Sequence, residues 1–514
     1  RRNSILDQTV RAISVTGVSI PSFWFALLVL YFFYYKLKLF PGPGRLSNAF
    51  TAPATVTGMY VIDSLLEGNI PKAVLSVCLP MALFQLINEL FRVFDLVITS
   101  QINPESVSAV SFFNQLNNSI VSVGTGLSIG AGILIAGLYG AGEYERLKTT
   151  VNTTFFMAGA AALVLVAGLI LGARPILRLA NTPAQLVEIG LNYYRITALN
   201  LFFTFFNNVY IAIEKARGNG SKIMRINFAM ALTKFSFSAF FVLVLHQGIV
   251  MIGVATLLSN LVVTAIGLYN LRNPEDVFGL SFRYVRLKND IVKKIVSISL
   301  PVIAEKFSFS AGKVVVNSVG VNYGTQTVGA LGVSNSVSAL STVPAGSIGD
   351  GGAALIRQNI GHGNPQRALK IFRCVFIVDF VWGVLGFILT WVFLDPILAS
   401  FSKGDVAFAE LIAQIFTLEM ISNVFLAIHS AVMALLYAFG YTKLSFYVNF
   451  ARLFVFRIPI LLFFQHCTTL AGGQAMGLVM MISNGMTGLL ALVVAAAVLH
   501  KEYGAGWMKQ LLST

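Results

Sequence analysis

"LEGNIPKAVLSVCLP", residues 66–80, returns as "LKNDIVKKIVSISLP" at residues 287–301, a shift of 221 positions. Leu66, Ile70, Lys72, Ser76, Leu79 and Pro80 meet Leu287, Ile291, Lys293, Ser297, Leu300 and Pro301. The register then continues without a gap. Val107 and Ala109 meet Val328 and Ala330, Asn114 meets Asn335, and Gly130 meets Gly351. Gly140, Gly142 and Arg146 meet Gly361, Gly363 and Arg367. Each copy opens a hydrophobic half of the chain. Duplication of a membrane fold is how many secondary transporters build a central site between two halves. The interface between the halves is therefore where function is expected.

Composition sets the solvent. The chain is 56% hydrophobic and 11% charged, which excludes an ordinary soluble domain. Crossing about 30 Å of hydrocarbon takes roughly 20 apolar residues per helix. Twelve such stretches follow residue 70, at 72–98, 106–138, 150–171, 186–214, 222–245, 250–271, 291–319, 326–356, 370–393, 406–437, 444–465 and 474–499. The fold class read from this pattern is an all-α polytopic membrane protein. It has twelve transmembrane helices in two six-helix pseudo-symmetric lobes, plus one extra N-terminal hydrophobic helix at 17–35. The division expected is 1–70, 71–275 and 276–514.

The net charge of +15 raises nucleic acid as a partner, but position argues against it. Basic residues gather in alternate loops, at Arg146 and Lys148, Lys215 through Arg225, Arg272 through Lys294, Arg357 through Arg373, Lys443, and Lys501 with Lys509. The intervening loops hold little beyond Arg174, Arg178 and Lys403. Basic loops stay on the cytoplasmic side, so both ends of the twelve-helix unit are expected in the cytoplasm of a prokaryotic inner membrane. Cys78, Cys374 and Cys467 are scattered, with no metal spacing, and read as buried, inert thiols. No Walker A, Ser/His/Asp or HExxH arrangement appears. The chain reads as a transporter and not an enzyme, without a cofactor or metal centre, working as a monomer in the bilayer on a small-molecule substrate.

Residues 1–70 differ from the rest. "TGVSIPSFWFALLVLYFFYYKLKLFPGPGR" and "TGMYVIDSLLEGN" resemble an internal piece of a dipeptide/oligopeptide ABC-transporter permease subunit. The resemblance ends before the loop by which such a subunit contacts its ATPase, so this piece reads as a fused helix with no transport role of its own. Its direction in the permease conflicts with the loop charges that follow. The helix at 17–35 is therefore expected to insert inverted or to lie at the interface.

From about residue 65 onward the chain resembles the multidrug and toxic compound extrusion (MATE) family. The carrying stretches are "EGNIPKAVLSVCLPMALFQLINELFRVFDLVITS", Gly140-Ala-Gly-Glu, and "VVVNSVGVNYGTQTVGALGVSNSVSALSTVPAGSIGDGGAALIRQNIGHGNPQRA". The resemblance implies a V of two lobes with substrate in the central cavity. It also implies antiport, with a proton or Na⁺ gradient driving export of organic, often cationic, compounds.

An ionisable side chain inside a span is costly and is a functional candidate by default. The first span offers Glu89, Arg92 and Asp95, three residues apart, a spacing that shares one helix face. Asp95 follows Pro80 by fifteen residues. That matches the family's coupling carboxylate, so a proton or Na⁺ is expected near Asp95. Pro80 and its copy Pro301 remove a backbone hydrogen bond and allow their helices to bend. At +221, Arg92 becomes Lys313 while Asp95 becomes Val316. Positive charge is thus duplicated and the carboxylate is not. Lys313 has no acidic neighbour a turn away and should reach a distant carboxylate or an anionic substrate group.

Where many family members carry a seventh-span glutamate this chain has Phe309, with Glu305 one turn earlier as a substitute. The fifth span carries Lys234 and no carboxylate over 231–245, which favours protons over Na⁺. Glu419 and His429 in the tenth span can titrate or bond neighbouring helices. The amides Asn114, Gln115, Asn118 and Asn335 must face protein or water, as cavity lining or as interhelical contacts. Two other readings compete: a lipid-linked saccharide flippase of related architecture, suggested by Arg92, Lys234 and Lys313, and an ABC permease subunit, suggested by residues 1–70 alone. Efflux from vesicles with an imposed gradient checks the first-span assignment. Asp95→Asn should abolish gradient-driven efflux while Glu89→Gln stays active; undiminished efflux in Asp95→Asn would reject it.

Overall fold

The computed structural model describes residues 66–100, 104–179, 184–287, 289–402 and 405–512. The stretch at 17–35 lies outside these residues. Twelve long helices follow in chain order: α1 Ile70–Ser100, α2 Pro104–Gly140, α3 Tyr144–Leu171, α4 Ala184–Ala216, α5 Gly220–Val244 and α6 Ile249–Asn270. The second set is α7 Asn289–Gly320, α8 Thr325–Gly361, α9 Pro365–Val392, α10 Val406–Ala438, α11 Thr442–Cys467 and α12 Gly472–Tyr503. Among the described residues, eleven helices are long and apolar enough to cross a membrane. Of the twelve spans read from the sequence, α8 falls short on apolarity, although it runs for 37 residues. Its Ser334, Ser338, Ser341 and Ser347 are buried against other helices, so protein rather than lipid surrounds that polar face.

The duplication is carried into three dimensions. α8 begins and ends at Thr325 and Gly361, and α9 at Pro365 and Val392, each 221 residues after the bounds of α2 and α3. The short helices Ala173–Leu179 and Leu394–Ser402 begin at the same interval. At the basic end, Gly142, Gly218, Gly363 and Gly440 all have φ between 72° and 79°. The next amide donates to the carbonyl five residues back in all four turns: Glu143 to Leu138, Asn219 to Glu214, Asn364 to Asn359, Tyr441 to Leu436. These are Schellman stops, and a residue with a Cβ would be strained at the left-handed position.

The lobes interlock by exchanging their first helices. α1 packs on α8 of the other lobe, and α7 packs on α2. The contacts are reciprocal. A Cβ built on Gly130 would lie 2.6 Å from Cα of Ser299 in α7, and one on Gly351 would lie 3.0 Å from Sγ of Cys78 in α1. Gly130 and Gly351 are one equivalent pair, and Cys78 and Ser299 are another. Closer to the basic end, Gly140 packs on the backbone of Gln358 while Gly361 packs on that of Gly137, again two equivalent pairs exchanged. Such contacts define a pseudo-twofold axis between parallel repeats. Gln358 also donates its side-chain amide across the lobes to the carbonyl of Ala216. The lobes are thus joined from mid-depth to the basic end.

The segment joining the lobes stays with the first one. Asn152 of α3 donates to the carbonyl of Gly279 and accepts from the amide of Ser281, and Arg217 pairs with Asp276 at 3.1 Å. Cys78 is buried and Cys374 half-buried, but Cys467 is exposed at the end of α11, which corrects the expectation of three buried thiols. The fourth-span aromatics are mostly packing. Tyr193 and Tyr194 lie in a buried cluster and Phe205 is buried, while Phe202 is exposed.

The glycine contacts predict a graded response. Gly126→Val places a side chain within 2.7 Å of the Ile303 backbone and should lower the thermal midpoint of the purified protein by several degrees. Gly346→Ala meets nothing within 4 Å and should leave it unchanged. Equal midpoints for the two variants would contradict the interlock.

Candidate functional site

Two adjoining cavities lie among the helices of the two lobes. The first, of about 350 Å³, is lined by Gln85 and Asn88 of α1, Thr125 and Ser128 of α2, Asn208 and Lys215 of α4, Asn227 of α5 and Asp350 of α8. The second, of about 400 Å³, lies in the second lobe between α7, α8, α10, α11 and α12. Gln85, Thr125, Ile129, Ser347, Asp350 and Tyr437 border both. The first is largely apolar, and its polar part is chiefly amide and hydroxyl. The second holds most of the charge.

Lys215 and Asp350 join the lobes. Their Nζ–Oδ2 distance is 2.8 Å, and their side chains are 23% and 32% exposed. In the second cavity, Glu305 of α7 is 2% exposed. Its carboxylate accepts from the Tyr437 hydroxyl at 2.8 and 3.0 Å and from Ser445 Oγ at 2.8 Å, and pairs with Lys306 at 3.1 Å. A buried charge is tolerated only with such company. Glu419 of α10 is also buried and accepts a hydrogen bond from Ser334 of α8. His429, 8% exposed, lines the same space with Nε2 lacking a hydrogen-bond partner. Asn335 lines it too and donates to the carbonyl of Leu331 at 2.9 Å.

α11 supplies two arginines. Over Ala451–Arg457 it opens from α to π geometry. Arg457, 3% exposed, donates from Nε to Ser483 at 3.1 Å and from a terminal nitrogen to Asn484 Oδ1 at 2.6 Å. Arg452 donates to the same Asn484 oxygen at 3.2 Å. Asn484 is oriented by its own donation to Ser422 at 3.0 Å. Two cations lie over the Phe309 ring, Lys313 at 4.9 Å and Arg452 at 5.1 Å from its centroid. Lys313 therefore does have a contact one turn back on its own helix, an aromatic face rather than a carboxylate.

The structure gathers Glu305, Lys313, Asn335, Glu419 and His429 around one cavity. Glu89 is half-buried further along α1 from Gln85, Lys234 half-buried on α5, and Asn118 exposed on α2. Arg92 and Asp95 lie on α1, and Asn114 and Gln115 on α2, with side chains outside the described residues. Pro80 and Pro301 both lie within their helices. Sequence reasoning passed over Asp350, Arg452 and Arg457, together with Asp379, which is fully buried on α9 with neither carboxylate oxygen bonded. The signal was available, because all four are ionisable residues inside read spans. Among the described residues no group of three His, Cys, Asp or Glu could hold a metal ion.

Two helical lobes related by duplication, enclosing a central polar cavity, define the class as a multi-pass membrane transporter. The MatE family model matches residues 80–240 and 301–463, one stretch in each half, and the chain belongs to that family, whose members are transporters. It is 27% identical over 306 residues to the probable multidrug resistance protein YoeA of Bacillus subtilis, covering 58% of this chain and 66% of that protein, just under two thirds. It is 23% identical to the probable multidrug resistance protein NorM of Thermotoga maritima, covering 76% of this chain and 85% of that one. A separate 68-residue match, 48% identical, is to the probable D,D-dipeptide transport system permease protein DdpB of Escherichia coli, covering 13% of this chain and 20% of that one. Among solved structures, an outward-facing multidrug resistance MATE family transporter of the MOP superfamily superposes with a TM-score of 0.80. The two are 20% identical, and the match covers 88% of this chain and 98% of that one.

A partly buried ion pair between lobes should couple its two residues. Lys215→Gln and Asp350→Asn should each lower the thermal midpoint, and the double variant should fall short of their sum by about 1 kcal/mol. Strict additivity would show that the pair contributes nothing.

Proposed function

We propose that the chain is a secondary active antiporter that exports organic compounds, driven by a proton or Na⁺ gradient. Its lobes alternate in access to the central cavity. The observation that carries this reading is the continuity of the two cavities across the lobe interface at Asp350, with the close glycine contacts among the described residues running from mid-depth to one end. Polar residues drawn from both lobes can hold a solute midway. Separating the lobes at the basic end would reopen the cavity on that side. Family membership and the names of the curated relatives support efflux of small molecules. The basic loops support a cytoplasmic location for the joined end.

For the coupling ion, protons are favoured. The second cavity gathers the carboxyl and imidazole side chains of Glu305, Glu419 and His429 from α7 and α10. Each carboxylate already sits against hydroxyls that can share a proton, Tyr437 and Ser445 on Glu305 and Ser334 on Glu419. No step of this reading requires ATP.

Proteoliposomes loaded with a fluorescent substrate provide the test. An imposed ΔpH should drive movement against the concentration gradient, collapse of ΔpH should stop it, and Glu419→Gln should reduce it by about tenfold or more. Transport that needs ATP and ignores both gradients would end the antiport reading.

A further inference from the structure

We infer that the segment joining the lobes is a membrane anchor. Arg283 and Arg286 bind the phosphate of an anionic phospholipid, and Phe282 and Leu287 seat among its acyl chains. This surface lies apart from both cavities.

The first observation is an exposed apolar pair on a fixed base. Phe282 is 91% exposed and Leu287 59%. The backbone that carries them is nevertheless bonded to α3 at two places. Asn152 holds Gly279 and Ser281. Thr153 accepts from the Arg286 amide at 3.1 Å and donates to the Arg286 carbonyl at 3.3 Å. Between these points runs a 3₁₀ turn, Phe282–Tyr284, with Lys148 lying 4.4 Å from the centroid of the Tyr284 ring. Phe282 is thus held outward by a braced turn.

The second observation is depth. Thr153 is nine residues into α3, about 14 Å along the axis from Tyr144. One turn further, Phe156 is the first exposed large apolar side chain after Tyr144. α7 shows the same order. Its Lys293 and Lys294 are exposed, and Val296, Leu300 and Phe307 then turn apolar surface outward. The joining segment therefore sits where the outward apolar band ends, both on the helix that holds it and on the helix it enters. That is the level of lipid phosphates.

The third observation is charge. Residues 281–294 carry Arg283, Arg286, Lys288, Lys293 and Lys294 against Asp290. Arg283 and Arg286 are exposed, and among the described residues neither guanidinium forms a salt bridge. Basic residues beside a bilayer are drawn to anionic lipid, and apolar side chains among them add burial to that attraction. Arginine's planar fork suits a phosphate. An acidic soluble protein would answer the charge, but it would have to enter the rim of the bilayer to reach Phe282. Lipid is already there.

Two measurements on the full-length protein test the anchor. With Cys374 and Cys467 replaced by serine, a spin label at Phe282 is followed in nanodiscs of phosphatidylcholine and phosphatidylglycerol. Oxygen should reach it more readily than a water-soluble nickel chelate, with the reverse at Glu275, an exposed position of the same segment. In detergent micelles, native mass spectrometry should find the first dioleoyl phosphatidylglycerol bound at least about tenfold more tightly than dioleoyl phosphatidylcholine. Arg283→Gln combined with Arg286→Gln should weaken phosphatidylglycerol binding by about tenfold or more, and Phe282→Ser by about fivefold or more. Arg174→Gln, at the opposite end of α3, should leave it unchanged. A Phe282 label reached chiefly by the nickel chelate would overturn the assignment, as would unaltered phosphatidylglycerol binding in the double variant. Displacement of the lipid by inorganic phosphate would also overturn it, making the site one for a soluble anion. Neither readout depends on transport.

Discussion

Everything in this molecule hangs on the approach of two backbones without side chains between them. Gly126 and Gly130 let α2 lie against α7, and Gly137, Gly140 and Gly361 let α2 cross α8 at the basic end. In a bilayer the hydrophobic effect does not press helices together, so close van der Waals packing at small residues takes its place. Placing those residues on reciprocal positions makes the contact serve both halves at once. Beside that contact lie the two cavities, lined by residues of both lobes.

Polar chemistry is distributed unequally over a symmetric frame. The repeat duplicates helix bounds, turn glycines and prolines, all of which answer to backbone geometry. It does not duplicate four charges of the second cavity: Glu305, Glu419, Arg452 and Arg457 answer to Phe84, Ala198, Ala231 and Ser236 in the first half. Glu305, Glu419, Arg452 and Arg457 crowd the second lobe, whereas the polar side chains lining the first cavity are amides and hydroxyls apart from Lys215, Asp350 and the Tyr437 phenol, set among apolar residues such as Phe84 and Ile211. Backbone constraints bind both copies alike, because each must stop and turn its helices at the same depth. Side chains inside the cavity carry no such backbone constraint, so they are free to diverge between the copies.

The frame was readable from the sequence because its signals are local. Twenty-odd apolar residues ended by Gly142 or Gly363 announce a span and a stop, and a constant interval of 221 announces the repeat. The cavity was only partly readable. Glu305, Lys313, Asn335, Glu419 and His429 stood out as polar residues in spans, and the structure brings them together. Arg452 and Arg457 did not stand out as a pair, since α-helical spacing puts them on different faces and the π turn that aligns them has no plain sequence mark. Asp350 likewise needed its partner, because Lys215 lies in another lobe, 135 positions away.

The central claim is that two lobes, joined at the basic end, exchange that closure for closure at the other. Spin labels at the equivalent positions Glu145 and Gln366 report the basic end, and labels at His246 and Cys467 report the opposite end; each pair is 221 residues apart. Electron–electron distances for both pairs, measured in nanodiscs at high and low pH with and without substrate, test it directly. The account predicts that the first distance lengthens as the second shortens. Two distances that rise together, or that stay fixed under every condition, would contradict it.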